Sequence, residues 1–200
     1  MAGKYIEFIN PGYSTLFTRD LKYKLATARD GGADEAEGSS LNVFDPDSAA
    51  PLFEGEFLEL ASDNKVTRGG TATCAHGDNA GTKPAWIHFH ERGRYDAQIT
   101  KKAHMVTGPA GMEFQTGLCY CASGDEGEPV FVVDVVHPTD ASKHVRGLAT
   151  LSEVQTTMNA GSNFYAVGFC QRVVTAQGSN AAAGTYGKMV VQYMPHTYQA

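Results

Sequence analysis

Pro129-Val-Phe-Val-Val-Asp-Val-Val136, Phe164-Tyr-Ala-Val-Gly-Phe-Cys-Gln-Arg-Val-Val174, Gly187-Lys-Met-Val-Val-Gln-Tyr-Met194 and Gln115-Thr-Gly-Leu-Cys-Tyr-Cys121 decide the fold class. Each run is rich in β-branched and aromatic residues and is bounded by Gly, Asn or Pro, which is the signature of a strand. Earlier, Pro51–Leu60 and Lys65–Arg68 flank the polar turn Ala61-Ser-Asp-Asn64, and Pro84-Ala-Trp-Ile-His-Phe-His90 adds an aromatic strand. The expected fold is all-β, a barrel or a jelly-roll-like sandwich. One short helix is expected at Glu153–Met158, because Ser152 stands three residues before Gln155 and Asn159-Ala-Gly161 supplies a stop.

The composition agrees with a turn-rich globular chain of 200 residues, 42% hydrophobic and 19% charged, with 22 glycines. Sixteen basic residues against 22 acidic ones leave a net charge of −6, which opposes binding to a phosphate backbone and makes direct nucleic-acid contact an unexpected function. No apolar run approaches the length of a membrane span, and the start lacks the apolar core of a secretory signal. Cys74, Cys119, Cys121 and Cys170 are therefore expected as reduced thiols.

The organisation expected is an N-terminal arm with an acidic loop over residues 1–41, then a β-barrel domain over residues 42–200. Within the arm, Tyr5–Ile9 reads as a short strand or extended segment, and Leu21, Tyr23 and Leu25 alternating with Lys22 and Lys24 favour strand over helix. Asp30–Ser40 combines four acids with three glycines and has nothing to bury. An arm tethered through it is expected to be removable without unfolding the rest. The segment Ala176–Thr185, too poor in large side chains to pack, is expected to be an exposed hairpin tip.

Two pairs carry metal-like spacing. His88-Phe-His90 and Cys119-Tyr-Cys121 each place two donors on one face of a strand, and the four would make a tetrahedral set if their strands were neighbours. A one-sided core built on Ile87 and Phe89 explains the histidines more simply, by turning them outward. The expectation is that His88, His90, Cys119 and Cys121 hold no metal and that no cofactor is used. Cys74 and His76 sit in a Gly-rich stretch unsuited to a rigid nucleophile, and Gly108-Pro-Ala-Gly111 lacks the continuation of a phosphate loop. No catalytic residues are assigned.

The hairpin Pro51–Arg68, the polar stretch after it and the aromatic segment Pro84–Asp96 follow one another in an order that resembles the capsid decoration, or cement, proteins of tailed bacteriophages. That resemblance covers about the middle quarter of the chain, with a weaker echo near the C-terminus. It implies a non-enzymatic virion protein that forms an oligomer, commonly a trimer, and binds the major capsid protein on the outer capsid surface after assembly in the host cytoplasm. Phe57 and Leu58, from a strand with more apolar residues than one buried face needs, are the expected interface residues, together with Arg92, Arg94 and Tyr95. The alternatives are a cupin-like metal-dependent enzyme using His88 and His90, or another β-rich virion component such as a tail or fibre subunit. The cupin pattern departs at Glu91, which follows His90 directly, and at the missing second histidine motif.

Overall fold

The computed structural model describes residues 5–10, 16–23, 52–61, 64–68, 80–89, 102–137, 144–154, 158, 161–179 and 184–200. They form eleven strands: β1 (Ile6–Asn10), β2 (Phe17–Lys22), β3 (Phe57–Leu60), β4 (Val66–Thr67), β5 (Ala85–His88), β6 (Lys102–Thr107), β7 (Glu113–Tyr120), β8 (Pro129–Val136), β9 (His144–Thr150), β10 (Asn163–Thr175) and β11 (Gly187–Gln199). The all-β class is as the sequence indicates.

Two sheets hold these strands. The larger runs β1-β7-β11-β10-β8-β9, and a parallel pairing of Cys119 and Tyr120 with Leu148 and Ala149 links β7 back to β9, so five of its strands close a ring. That closure needs glycine at position 147, because a Cβ there would lie 2.4 Å from the Leu118 carbonyl oxygen and 2.9 Å from both Val135 methyls. The smaller sheet runs β2-β6-β5-β3-β4, and a parallel bridge between Tyr23 and Val66 joins its two ends. The turn between β3 and β4 falls at the polar stretch expected for it, with Asn64 at φ 59 and donating to the Ala61 carbonyl.

Three apolar clusters follow from strand alternation. The first takes Phe57, Ala85 and Ile87 from the smaller sheet and Cys119, Val132, Leu148, Val167 and Val191 from the larger, so it lies between the two. The opposite face of the larger sheet carries Leu118, Tyr120, Phe131, Val133 and Ala149, covered by Phe53 and Ala80. The opposite face of the smaller sheet carries Leu21, Tyr23, Leu58, Val66 and Met105. A hydroxyl contact adds to the join between sheets: Thr107 Oγ1 on β6 donates to the Tyr193 hydroxyl on β11 at 2.8 Å.

Three expectations change. Strands β1 and β2 supply an edge to each sheet, and Ile6, Leu21 and Tyr23 are buried, so the described part of the N-terminal region belongs to the body and is not an arm; the boundary at 41–42 falls outside the described residues. The helix expected at Glu153–Met158 is a single 3-10 turn at Leu151–Glu153, followed by an extended Val154; residues 155–157 fall outside the described residues. Ser152 lies inside that turn and gives its backbone N–H to Glu128 Oε2, so it does not serve as the cap the sequence suggested. The near end of the 176–185 segment is anchored: Gln177 exchanges two backbone hydrogen bonds with Cys121, and Ser179 donates its N–H and hydroxyl to Glu153 Oε2. Residues 180–183, the expected tip, are outside the described set.

Candidate functional site

His88 is not brought to Cys119 and Cys121. Ala85 and Ile87, not His88, are the β5 residues in the cluster that contains the two cysteines, and His88 points to the other face of the strand. It does not face outward either. The smaller sheet is covered on both sides, so His88 is fully buried, with its Nδ1 3.0 Å from the Phe53 carbonyl and its backbone N–H donated to Glu56. His90 lies outside the described residues, as does Cys74. Among the described residues no three His, Cys, Asp or Glu side chains are grouped to hold a metal ion.

Cys119, Cys121 and Cys170 are free, buried thiols. Burial raises the Cys119 pKa well above the ordinary thiol range, helped by its hydrogen bond to Cys121, and that same bond lowers Cys121. Cys170 is pushed from 9.0 up to about 12, mainly by burial and then by the charge of Cys121. All three thiols are packing groups in an apolar site, and desolvation favours the neutral form of Cys119 and Cys170.

The densest charge in the described residues is buried between the sheets. Arg68 grips Glu56 with two bonds, at 2.7 and 2.9 Å, and Glu56 also accepts the Phe53 N–H at 2.8 Å. Arg146 donates to Asp134 at 3.1 Å and, across the sheets, to Glu59 at 2.9 Å. Asp134 and Arg146 stand directly opposite on β8 and β9, while Glu59 arrives from β3. Above them Gly81 inserts between β8 and β10, donating to the Val132 carbonyl and accepting from Tyr165, both at 2.8 Å. A Cβ on Gly81 would come within 2.9 Å of Glu59 Oε1.

Chemically this cluster is a clamp. Guanidinium donors hold the three carboxylates, and Arg146 and Asp134 are sealed from solvent, so neither can meet a substrate. The sequence did carry a signal for it. Asp134 is the lone charge in Pro129–Val136, and Arg146 the lone full charge in His144–Thr150; charges that break an apolar strand pair with each other when the strands are neighbours.

The expected interface residues Phe57 and Leu58 are 0% exposed, one on each face of β3. Their excess of apolar character is consumed by covering from within the chain, so they are not available to a partner. Arg92, Arg94 and Tyr95 lie outside the described residues. Among the described residues, the large apolar side chains that face solvent are Phe17 (60%), Ile9, Val174 and Met194. Phe17 and Ile9 sit on the two edge strands β2 and β1, and beside β1 a cleft of about 320 Å³ is lined by Tyr5, Ile6, Glu7, Gln115, Gly117 and Lys188.

Against known proteins, the chain matches no family model, no curated protein and no solved structure.

Proposed function

We propose that this chain is a non-enzymatic virion structural protein that attaches to the outside of a phage capsid as a decoration or cement protein. The observation that carries the reading is the element order Pro51–Arg68 followed by Pro84–His88. In the fold these segments provide β3, β4 and β5, three neighbouring strands of the smaller sheet. A structural role also suits how the polar groups are spent: Arg146 joins the sheets through Glu59, Arg68 and Glu56 pair within the smaller sheet, and His88, Cys119 and Cys121 are packed inside. The solvent-facing edge strands are where contact area for a partner is found, with the major capsid protein as that partner and a trimer as the unit that binds.

The test is co-sedimentation of the purified chain with expanded phage capsids, paired with light scattering of the free protein. Saturable binding at a fixed ratio to shell subunits and a trimer mass support the reading. A chain that stays in the supernatant at every capsid concentration sinks it.

A further inference from the structure

We infer that the β2–β6 end of the smaller sheet is a docking edge for an extended acidic protein segment. Lys22 and Lys102 stand directly opposite each other in the β2–β6 ladder, and both are exposed. Like charges opposite one another on a sheet repel, so a ladder shaped for its own stability would place an acid at one of the two positions. Here neither lysine, nor the neighbouring exposed Arg19, has an ion-pair partner among the described residues. The nearby carboxylate, Asp20, is already engaged by His104 at 2.7 Å. A local surplus of positive charge therefore stands in a chain whose overall charge is −6.

Backbone geometry gives the occupant its shape. Over Phe17–Lys22, β2 pairs with β6 alone among the described residues; the Tyr23–Val66 bridge closes the sheet just beyond Lys22, so the edge left to a partner is the stretch from Phe17 to Leu21. Five of the six residues of β2 are exposed, Phe17 among them at 60%. A segment laid along this open edge gains main-chain hydrogen bonds and alternates its side chains between the two faces. Successive carboxylates then reach the Lys22–Lys102 pair on one face and Arg19 on the other, while Phe17 offers apolar contact at the strand's start. The net charge selects protein over nucleic acid: a long, dense polyanion feels the repulsion of the whole molecule, whereas a short acidic segment meets only the local patch. The capsid reading supplies only the name of the partner; the acidic chemistry of the site stands on the lysines themselves.

The experiment measures binding of a short poly-L-glutamate peptide to the full chain by fluorescence anisotropy across a salt series, with duplex DNA as the second probe. The expected result is saturable peptide binding that weakens as salt rises, and a loss of about tenfold or more in Lys22→Glu/Lys102→Glu. The milder Lys22→Gln/Lys102→Gln variant, checked by circular dichroism, is expected to lose part of the affinity and covers the case in which charge reversal disturbs the fold. Unchanged affinity in the glutamine variant overturns the proposal, and so does tighter binding of duplex DNA than of the peptide. A chain that binds the peptide through these lysines yet ignores capsids leaves this inference standing and removes the capsid reading.

Discussion

Strand β8 buries seven of its eight residues, whereas β2 buries one of six, although both sit in sheets of the same small body. The difference shows where each kind of residue is spent. In β8, Val and Phe face apolar clusters on both sides, and the one charge, Asp134, is neutralised by the strand next to it. In β2 only Leu21 points into a core, and the charges of Arg19 and Lys22 are left to solvent. The first strand is spent almost wholly on the core; the second anchors itself through Leu21 and leaves its other side chains to solvent.

The comparison is challenged most strongly by removing residues 1–23. Because Ile6, Leu21 and Tyr23 are buried, the truncated chain is expected to lose cooperative unfolding, as circular dichroism with denaturant would show. A truncated protein with full sheet signal and an unchanged midpoint would return β1 and β2 to the status of an appendage.

Next in size is Arg146→Met, which removes the guanidinium that bonds buried Asp134 and Glu59 and is expected to cost about 3–5 kcal/mol in denaturant unfolding. Adding Asp134→Leu and Glu59→Gln should recover much of that loss, since the damage comes from the carboxylates that lose that bond. No recovery would mean that Arg146 acts through something besides these two acids. Gly147→Ala forces a methyl against the Leu118 carbonyl and is expected to cost roughly 3 kcal/mol, because β7 and β9 must part to admit it. A neutral result would show that ring closure contributes little.

Alkaline pH gives a graded version of the same contrast. Cys170 has a folded pKa near 12 against 9.0 ordinarily, and burial raises the pKa of Tyr165 and Tyr186 as well. A folded pKa above the unfolded one means full stability below the unfolded value and progressive loss above it. Stability should therefore fall as pH rises from about 9 toward 12, and Cys170→Ser should flatten the lower part of that slope. The smallest effect is expected at the edge strand: Phe17→Ser should change stability by no more than about 0.5 kcal/mol. A larger loss would show that the Phe17 ring packs against the body.

Four of the five ring strands and the strands β3, β4 and β5 were readable in the sequence, whereas β6 and β9 were hidden for physical reasons. Pro129–Val136 is recovered residue for residue because five valines and a phenylalanine, broken only by Asp134, strongly favour a strand. Strand β9 was missed: His144-Val-Arg-Gly-Leu-Ala-Thr150 carries an Arg and a Gly that weaken any strand signal, yet Arg146 answers Asp134 and Gly147 admits β7. Strand β6 was missed because Lys102-Ala-His-Met-Val-Thr107 has little strand propensity by itself and is held by β2 and β5 on either side. Phe57 and Leu58 were misread for a related reason. Apolar residues on both faces of a strand mean covering on both sides, and composition does not say whether the cover comes from the same chain or another.

The central claim, a capsid-bound protein that offers β2 to its partner, is tested most directly by a cryo-electron map of phage capsids incubated with the chain. The expected map shows the two-sheet body on the outer surface at a fixed site between shell subunits, with the Phe17–Lys22 edge nearest the shell. Bare shells at saturating protein, or attachment through the buried-strand side of the ring with β2 facing solvent, would contradict it.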